Sequence, residues 1–112
     1  MSAELPTETV ADLVASGRIA GEAQISGTVT GIDTRRNRAE NEWATVALDD
    51  STGRIEVLVF PRNWPAIRPH LQVGRVATLT GRLNQDGRIR QLQLYATGLA
   101  PATYRPEEGA RG

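Results

Sequence analysis

The chain has 112 residues, which is enough for one domain with a single modest core and too few for two. It contains no cysteine, which excludes disulfide frameworks, thiolate nucleophiles and thiolate metal sites. No apolar run approaches the length of a membrane span, and the N-terminus lacks the basic head and apolar segment of a signal sequence, so a cytoplasmic location is expected.

The formal net charge is zero, but the charges are unevenly distributed. Residues 1–22 carry one arginine against four acids, whereas residues 23–96 carry ten arginines against seven acids. All basic side chains are arginine, whose planar fork suits phosphate, although a GC-rich genome that favours arginine codons is at least as good an explanation. The central part of the chain is therefore mildly basic, which leaves a polyanionic partner open.

A short amphipathic helix is the first predicted element. In TETVADLVASG, Thr7 is the expected N-cap and Gly17 the expected stop. The apolar residues that share one helical stripe are Val10, Leu13 and Val14. Residues 1–21 are therefore expected to form a helical extension ahead of the strands.

After this helix the apolar residues alternate with small polar ones, which predicts a half-buried strand over about residues 22–33. Two further strands, in NEWATVALDD and RIEVLVF, form a predicted hairpin with Trp43 and Thr45 on its outer face. The turn DDSTG joins them, and its Gly53 is expected to take a positive φ. The inner faces of the three strands are expected to consist of Ala23, Ile25, Gly27, Val29, Gly31, Ala44, Val46, Leu48, Ile55, Val57 and Val59.

The connector that follows the hairpin is predicted to be a broken helical segment. Pro61, Pro65 and Pro69 recur at every fourth position and forbid a long regular helix. The apolar residues at helical spacing, which could close one end of a sheet as a plug, are Trp64, Ile67 and Leu71.

Two more strands and a tail complete the predicted architecture. GRVATLTGRL gives a fourth strand, NQDG a tight turn, and RIRQLQLYATGL a fifth strand with Leu92 and Leu94 on one face. Residues 98–112 are rich in proline, glycine and charge and are expected to be flexible.

Five strands in this order, with glycines inside the first and fourth, predict a small closed barrel. The runs ISGTVTGIDTRR, VALDDSTGRIEVLVFP and VGRVATLTGRL resemble the OB-fold nucleic-acid-binding family of the tRNA-anti type, most closely the version near the C-terminal end of bacterial replicative DNA polymerase III alpha subunits. The resemblance covers residues 23–96 and implies an all-β, five-stranded OB-fold barrel over residues 22–97. Its most distinctive motif, L-x-D-x-x-G-x-I-E-V-x-V-F-P, is carried by Leu48, Asp50, Gly53, Ile55, Glu56, Val57, Val59, Phe60 and Pro61.

The chain departs from this pattern at two places. Related sequences usually have an aromatic residue where this one has Thr45, although Trp43, two residues earlier on the same face, could replace the ring. They also have a more regular helix where this chain has Pro65 and Pro69. The resemblance implies binding to single-stranded DNA or RNA, or to a replication partner, by a module with no chemistry of its own.

A ligand of an OB-fold lies across the second and third strands, between the loop joining strands one and two and the loop joining strands four and five. Here those loops are predicted at residues 34–42 and at NQDG. Binders of single strands need positive charge for phosphates and aromatic faces on which bases stack. The predicted nucleic-acid-binding residues are therefore Arg35, Arg36, Arg38, Trp43, Thr45, Arg54, Arg82, Arg88 and Arg90.

Each of these assignments has a plain alternative. The basic loop could be merely solvated, with Glu40 and Glu42 pairing with its arginines, and Trp43 could be packed against a neighbouring segment. Phe60 closes the third strand and is expected in the core rather than in a contact, and Tyr95 has no partner that the sequence identifies.

Few residues are candidates for chemistry. His70 is the single histidine and has no second imidazole with which to share a metal. Asp49 and Asp50 would suit a magnesium ion, but aspartates followed by Ser-Thr-Gly are more commonly turn formers. No metal, cofactor or catalytic group is therefore predicted.

Two functions remain from the sequence alone. The first is binding of single-stranded nucleic acid, DNA in preference to RNA, without strong sequence preference and in the service of replication or repair. The second is a protein-interaction domain that docks a replication partner, in which the arginines only maintain solubility.

Overall fold

The computed structural model describes residues 6–86 and 91–99. None of the helices in these two ranges is long and apolar enough to cross a membrane. The described elements are strand β1 (Thr7–Glu8), helix α1 (Val10–Ser16), strands β2 (Glu22–Arg36), β3 (Glu42–Asp49) and β4 (Arg54–Val59), helix α2 (Trp64–Ile67) with a 3₁₀ turn (Arg68–His70), and strands β5 (Val76–Asp86) and β6 (Gln91–Leu99).

The strands form one closed sheet in the order β1-β2-β3-β4-β6-β5, and pairing of β2 with β5 closes it. Strand β2 belongs to both halves of the wall, since residues 22–28 pair with β5 and residues 28–36 pair with β3. Strands β4 and β6 run parallel, and the two-residue β1 adds a parallel pairing to β2 outside the five-stranded barrel. The predicted fold class, an all-β OB-fold barrel, is confirmed.

The core fills the barrel from the inner faces of the five long strands, as the alternation predicts. Leu48, Val57 and Leu79 are fully buried, and Trp64 and Ile67 from the connector join the same cluster. The connector is broken as its prolines require: α2 lasts one turn and passes directly into the 3₁₀ turn.

A β-bulge changes the inner face of β2. The register passes from Val29 opposite Leu48 to Gly31 opposite Ala47, so Thr30 is an extra residue without a partner in β3. Beyond the bulge the even-numbered residues face inward, and Ile32 packs against the core. The prediction that Gly31 continues the inner face is therefore wrong, because period-two alternation does not survive an inserted residue.

Helix α1 begins two residues later than predicted. Its N-cap is Thr9, whose hydroxyl accepts a hydrogen bond from the Asp12 N–H, whereas Thr7 lies in β1. Its end at Gly17 is as predicted, with φ of 73° in the left-handed region. Leu13 is buried in the barrel core, but Val14 is 63% exposed and does not belong to the packed stripe.

The turn between β3 and β4 forms differently from the prediction. Ser51, not Gly53, takes the left-handed conformation, with φ of 74°. Gly53 is required for another reason: a Cβ there would lie 2.9 Å from Cγ1 of Val10, so the helix can approach the turn only over a glycine.

Asp50 ties the same turn to helix α1. Its Oδ1 accepts hydrogen bonds from the side chain and N–H of Thr52 and from the Gly53 N–H, while its Oδ2 accepts the Val10 N–H at 2.7 Å. Partial burial raises the pKa of Asp50, but these hydrogen bonds to the charged form outweigh that effect and hold the pKa below its ordinary value. The aspartates thus act as turn formers, and no cluster of three potential metal ligands occurs among the described residues.

Asp50→Asn is expected to lower the free energy of unfolding by about 1–2 kcal/mol at neutral pH, because the amide nitrogen cannot accept the Val10 N–H. Since the folded-state pKa is lowered, the stabilisation by Asp50 is present above about pH 4 and is lost as the pH falls through the folded-state value. Chemical denaturation of both proteins at several pH values measures this. The two stabilities should converge in acid, and a constant gap would contradict the assignment.

The strand boundaries near the second predicted loop also differ from the prediction. Strand β5 continues through Asp86, where residues 84–86 pair with residues 91–93 of β6. Asn84 is therefore in a strand and not in a tight turn. The remainder of that loop, with Arg88 and Arg90, and most of the predicted tail lie outside the described residues.

Candidate nucleic-acid interface

The outer wall of β2, β3, β4, β6 and β5 presents one continuous face. On β3 this face carries Trp43 and Thr45, because Ala44 and Val46 are buried on the other side. The register places Thr45 between Asp33 of β2 and Leu58 of β4, and Leu58 is in turn opposite Tyr95 of β6. We call this outer surface the sheet face; its part on β3 and β4, the second and third strands of the barrel, is where an OB-fold binds its ligand.

Three aromatic rings lie side by side on the sheet face. Trp43 stacks on Phe60 with ring centroids 6.3 Å apart and an interplanar angle of 29°. Phe60 in turn meets Tyr95 edge to face, with centroids 5.0 Å apart. We call Trp43, Phe60 and Tyr95 the aromatic stripe; it crosses the sheet from β3 to β6 and leaves Phe60 39% exposed.

Arg35 extends the aromatic stripe at one end. It pairs with Trp43 in the β2–β3 ladder, and its guanidinium carbon lies 5.9 Å from the indole centroid, within the range of a cation–π contact. Its Nε and Nη2 donate to Oδ2 of Asp33 at 3.2 and 2.9 Å. Both side chains of this ion pair are more than half exposed, so the pair contributes little stability and a phosphate can compete for the guanidinium.

The other two loop arginines do not join Arg35. Arg36 lies opposite Glu42 in the β2–β3 ladder, and its side chain projects from the other face of these two strands than that of Arg35. Nη1 of Arg36 donates to the carbonyl oxygen of Glu40. Arg38 is exposed in the loop that joins β2 to β3. The carboxylate of Glu42 is 3.5 Å from Arg68 in the connector, so it does not neutralise the loop arginines.

The loop itself is shorter than predicted. Strand β2 continues through Arg36 and β3 begins at Glu42, so only residues 37–41 connect them. Asn37 holds this connection, since its Oδ1 accepts the N–H groups of Ala39 and Asn41. The arginine nearest Trp43 is consequently carried by a strand, which fixes its direction more firmly than a loop would.

The remaining predicted arginines lie at the margins of the sheet face. Arg82 on β5 is opposite Tyr95, at the far end of the aromatic stripe from Arg35. Arg54 begins β4 opposite Asp49, which it approaches to 4.0 Å, and lies six residues, about 20 Å, along β3 from the Trp43 row. Arg35 and Arg82 therefore flank the two ends of the aromatic stripe, and Arg54 lies apart from it.

Phe60 and Tyr95 are the residues that the sequence reasoning missed. Phe60 follows the last inward residue of β4, Val59, so strict alternation already indicates an outward ring. Tyr95 becomes its neighbour only because β4 and β6 pair in parallel, a contact between segments 35 residues apart that no local pattern reveals.

Comparison with known proteins agrees with this geometry. A family profile described as an OB-fold nucleic acid binding domain matches residues 23–102. The DNA polymerase III subunit alpha of Saccharopolyspora erythraea is 32% identical over 94 residues, which are 82% of this chain and 8% of that protein. The corresponding subunit of Pseudomonas aeruginosa is 27% identical over 86 residues, 68% of this chain and 7% of that one. The chain spans less than a tenth of these relatives.

Solved structures share the fold at low sequence identity. RecG bound to a three-way DNA junction matches 88% of this chain, and 13% of its own, with a TM-score of 0.66 and 13% identity. The yeast Stn1 and Ten1 structure matches 96% of this chain and 66% of its own, with a TM-score of 0.65 and 14% identity.

Proposed function

Because the chain belongs to the family of OB-fold nucleic acid binding domains, we propose that it binds single-stranded DNA on the sheet face as a non-catalytic module. The observation that carries this proposal is the aromatic stripe, three rings in contact on the outside of a barrel with arginines at both ends. Exposed rings offer stacking surfaces to bases, and the arginines offer charge to the flanking phosphates.

We place this activity in DNA replication or repair in the cytoplasm. The relatives named above are alpha subunits of DNA polymerase III, and RecG was solved bound to a DNA junction. These resemblances favour DNA over RNA as the ligand.

The binding mode predicts a moderate dependence on salt. Three or four phosphate contacts, from Arg35, Arg82, Arg54 and the loop, give a slope of about −2 to −3 for log affinity against log salt. Affinity should therefore fall roughly 15- to 60-fold between about 50 mM and 200 mM salt. Fluorescence anisotropy of a labelled thymidine dodecamer measures it.

Arg35→Ala tests where the phosphates bind. This variant should weaken dodecamer binding and reduce the salt slope by about 0.7, since one phosphate contact on a single strand is lost. Arg75→Ala is the charge-matched control, because Arg75 is exposed next to Val29, six residues along β2 from Arg35. Equal losses in both variants would indicate non-specific attraction instead of a site on the sheet face.

One observation favours the competing function of protein docking. Val14 and Ile19, at and after helix α1, are 63% and 54% exposed, and apolar residues of this size on a surface are a common feature of protein contacts. If the wild-type protein leaves the anisotropy of every oligonucleotide unchanged even at low salt, this function replaces the proposed one.

A further inference from the structure

A hollow interrupts the sheet face beside the aromatic stripe. It has a volume of about 290 Å³, close to the lower end of small-molecule pockets, and lies across β2, β3 and β4. Three of its lining residues, Gly31, Thr45 and Ala47, have small side chains, and two, Asp33 and Glu56, carry carboxylates. The lining residues are Gly31, Ile32, Asp33, Thr45, Val46, Ala47 and Glu56.

The hollow exists because two opposed positions lack large side chains. Gly31 of β2 is paired with Ala47 of β3, and Ala47 is paired with Glu56 of β4. A Cβ built on Gly31 meets no atom within 4 Å, so the space above this glycine is open and the backbone does not demand a glycine there. The bulge at Thr30 turns Gly31 outward and thereby creates this gap in the wall.

Glu56 is held in position by a chain of side-chain hydrogen bonds. Asn84 donates to Oε1 of Gln93 at 3.2 Å, and Nε2 of Gln93 donates to Oε1 of Glu56 at 2.7 Å. Gln93 is only 8% exposed, and these two side-chain hydrogen bonds fix the direction of its amide. None of the described residues donates a hydrogen bond to Oε2 of Glu56, and Glu56 lines the hollow.

The charges around the hollow decide which part of a strand can enter it. Asp33 and Glu56 line opposite sides. Asp33 is paired with Arg35, whereas Glu56 has no arginine partner among the described residues and repels phosphate. The arginines lie outside the hollow: Arg35 beyond Asp33, and Arg54 at the start of β4. A bound strand would therefore run its phosphates past the arginines and turn a base toward the carboxylates.

We propose that this hollow takes one nucleobase and that Glu56 selects guanine over thymine. The inference rests on the proposed function and adds a base preference to it. An ionised carboxylate only accepts hydrogen bonds, and guanine presents two adjacent donors, N1–H and the 2-amino group, on its Watson–Crick edge. Thymine presents one N–H between two carbonyl oxygens, which face the carboxylate unfavourably.

The test compares labelled thymidine dodecamers that differ at one central position. A single guanine should tighten binding about five- to tenfold relative to thymine, the low end for a carboxylate contact because the hollow is open to solvent. Inosine, which lacks the 2-amino group, should lose most of this gain. 7-Deazaguanine should keep it, because only the opposite edge of the base is changed.

Two variants assign the preference to the hollow. Glu56→Gln retains the oxygen that accepts from Gln93 but offers an amide N–H in place of Oε2, so the ratio of guanine to thymine affinity should fall to about one. Gly31→Val adds volume at a position where a Cβ meets no atom within 4 Å, and it should also abolish the ratio while thermal stability is kept. The ratio of guanine to thymine affinity is measured instead of the affinity itself, because Glu56→Gln removes a negative charge and should raise the affinity for every oligonucleotide.

The outcomes separate the two proposals. Equal affinities for the guanine and thymine dodecamers would overturn the base preference and leave the proposed function standing. A preference that survives in both variants would overturn the role of Glu56 and the hollow. Failure of every dodecamer to bind would overturn both proposals together.

Discussion

Trp43→Ala is expected to weaken binding of the thymidine dodecamer by about 1–3 kcal/mol, or roughly 5- to 150-fold in Kd, which is the range for loss of one base–aromatic stacking contact. The indole is the end of the aromatic stripe that meets Arg35, so its removal also takes away the surface over which the guanidinium lies. Fluorescence anisotropy of the labelled oligonucleotide measures the change without depending on the protein's own tryptophans.

Trp43→Phe is the matched control for this substitution. It keeps an aromatic face next to Phe60 and should retain most of the affinity, whereas a purely charge-driven interaction would be indifferent to either change. The thermal unfolding midpoint of each variant shows whether the barrel is intact, since Trp43 is half-buried and Ala44 beside it fills the core. Wild-type affinity in a folded Trp43→Ala protein would remove the aromatic stripe from the proposed site.

Gly81→Ala is expected to lower the free energy of unfolding by about 3 kcal/mol or more, a large effect for the addition of one methyl group. Gly81 pairs with Ala23 of β2 on one side and with Ala96 of β6 on the other, at the position where the sheet closes. A Cβ there would overlap the carbonyl oxygen of Tyr95 and lie 2.8 Å from Cα of Ala96, so the backbone of β6 would have to move.

Gly98→Ala on β6 is the corresponding control. Its Cβ would meet nothing nearer than the Thr80 hydroxyl at 3.7 Å, an ordinary contact, so the free energy of unfolding should change by less than about 1 kcal/mol. Thermal unfolding by circular dichroism should show a midpoint lowered by roughly 10–20 °C in Gly81→Ala only. Similar midpoints for both variants would mean that β6 has room to shift at Gly81.

The fold was largely predictable because its core obeys a simple period. Val46 and Leu48 of β3 and Val57 of β4 alternate with outward residues without interruption, and all three are fully buried. The glycine inside β5, Gly81, indicated from the sequence where a strand bends to close the barrel. In the structure Gly81 lies against the backbone of Tyr95 and Ala96 in β6. Local sequence carries this information because each strand packs one face against a common interior.

The errors arose where a tertiary contact replaced a local rule. Gly53 seemed to serve the turn by its conformational freedom, but Ser51 takes the positive φ and Gly53 makes room for Val10 of helix α1. The N-cap moved from Thr7 to Thr9 because pairing with β2 draws Thr7 into a strand. Neither contact can be read from the residues of the turn or the helix alone.

The candidate site was predicted only in part, for related reasons. The sequence indicated an outward Trp43 and nearby arginines, and the structure places Arg35 on the same side of the ribbon but Arg36 on the other. Tyr95 entered the aromatic stripe through a parallel strand pair, which depends on the topology of the whole barrel. The role of these residues in binding stays a prediction until the oligonucleotide titrations are made.

The one-residue bulge at Thr30 determines whether odd- or even-numbered residues of β2 face outward beyond it. Because Thr30 is surplus to the β2–β3 ladder, its deletion would leave Val29 opposite Leu48 and Gly31 opposite Ala47, so Arg35 and Asp33 would stay on the outer face and only the bulge would be lost. When related chains are aligned, a one-residue gap at Thr30 is therefore compatible with the same ligand-facing chemistry, whereas a one-residue gap between Thr30 and Arg35 would place Arg36 beside the indole even if every other letter were identical.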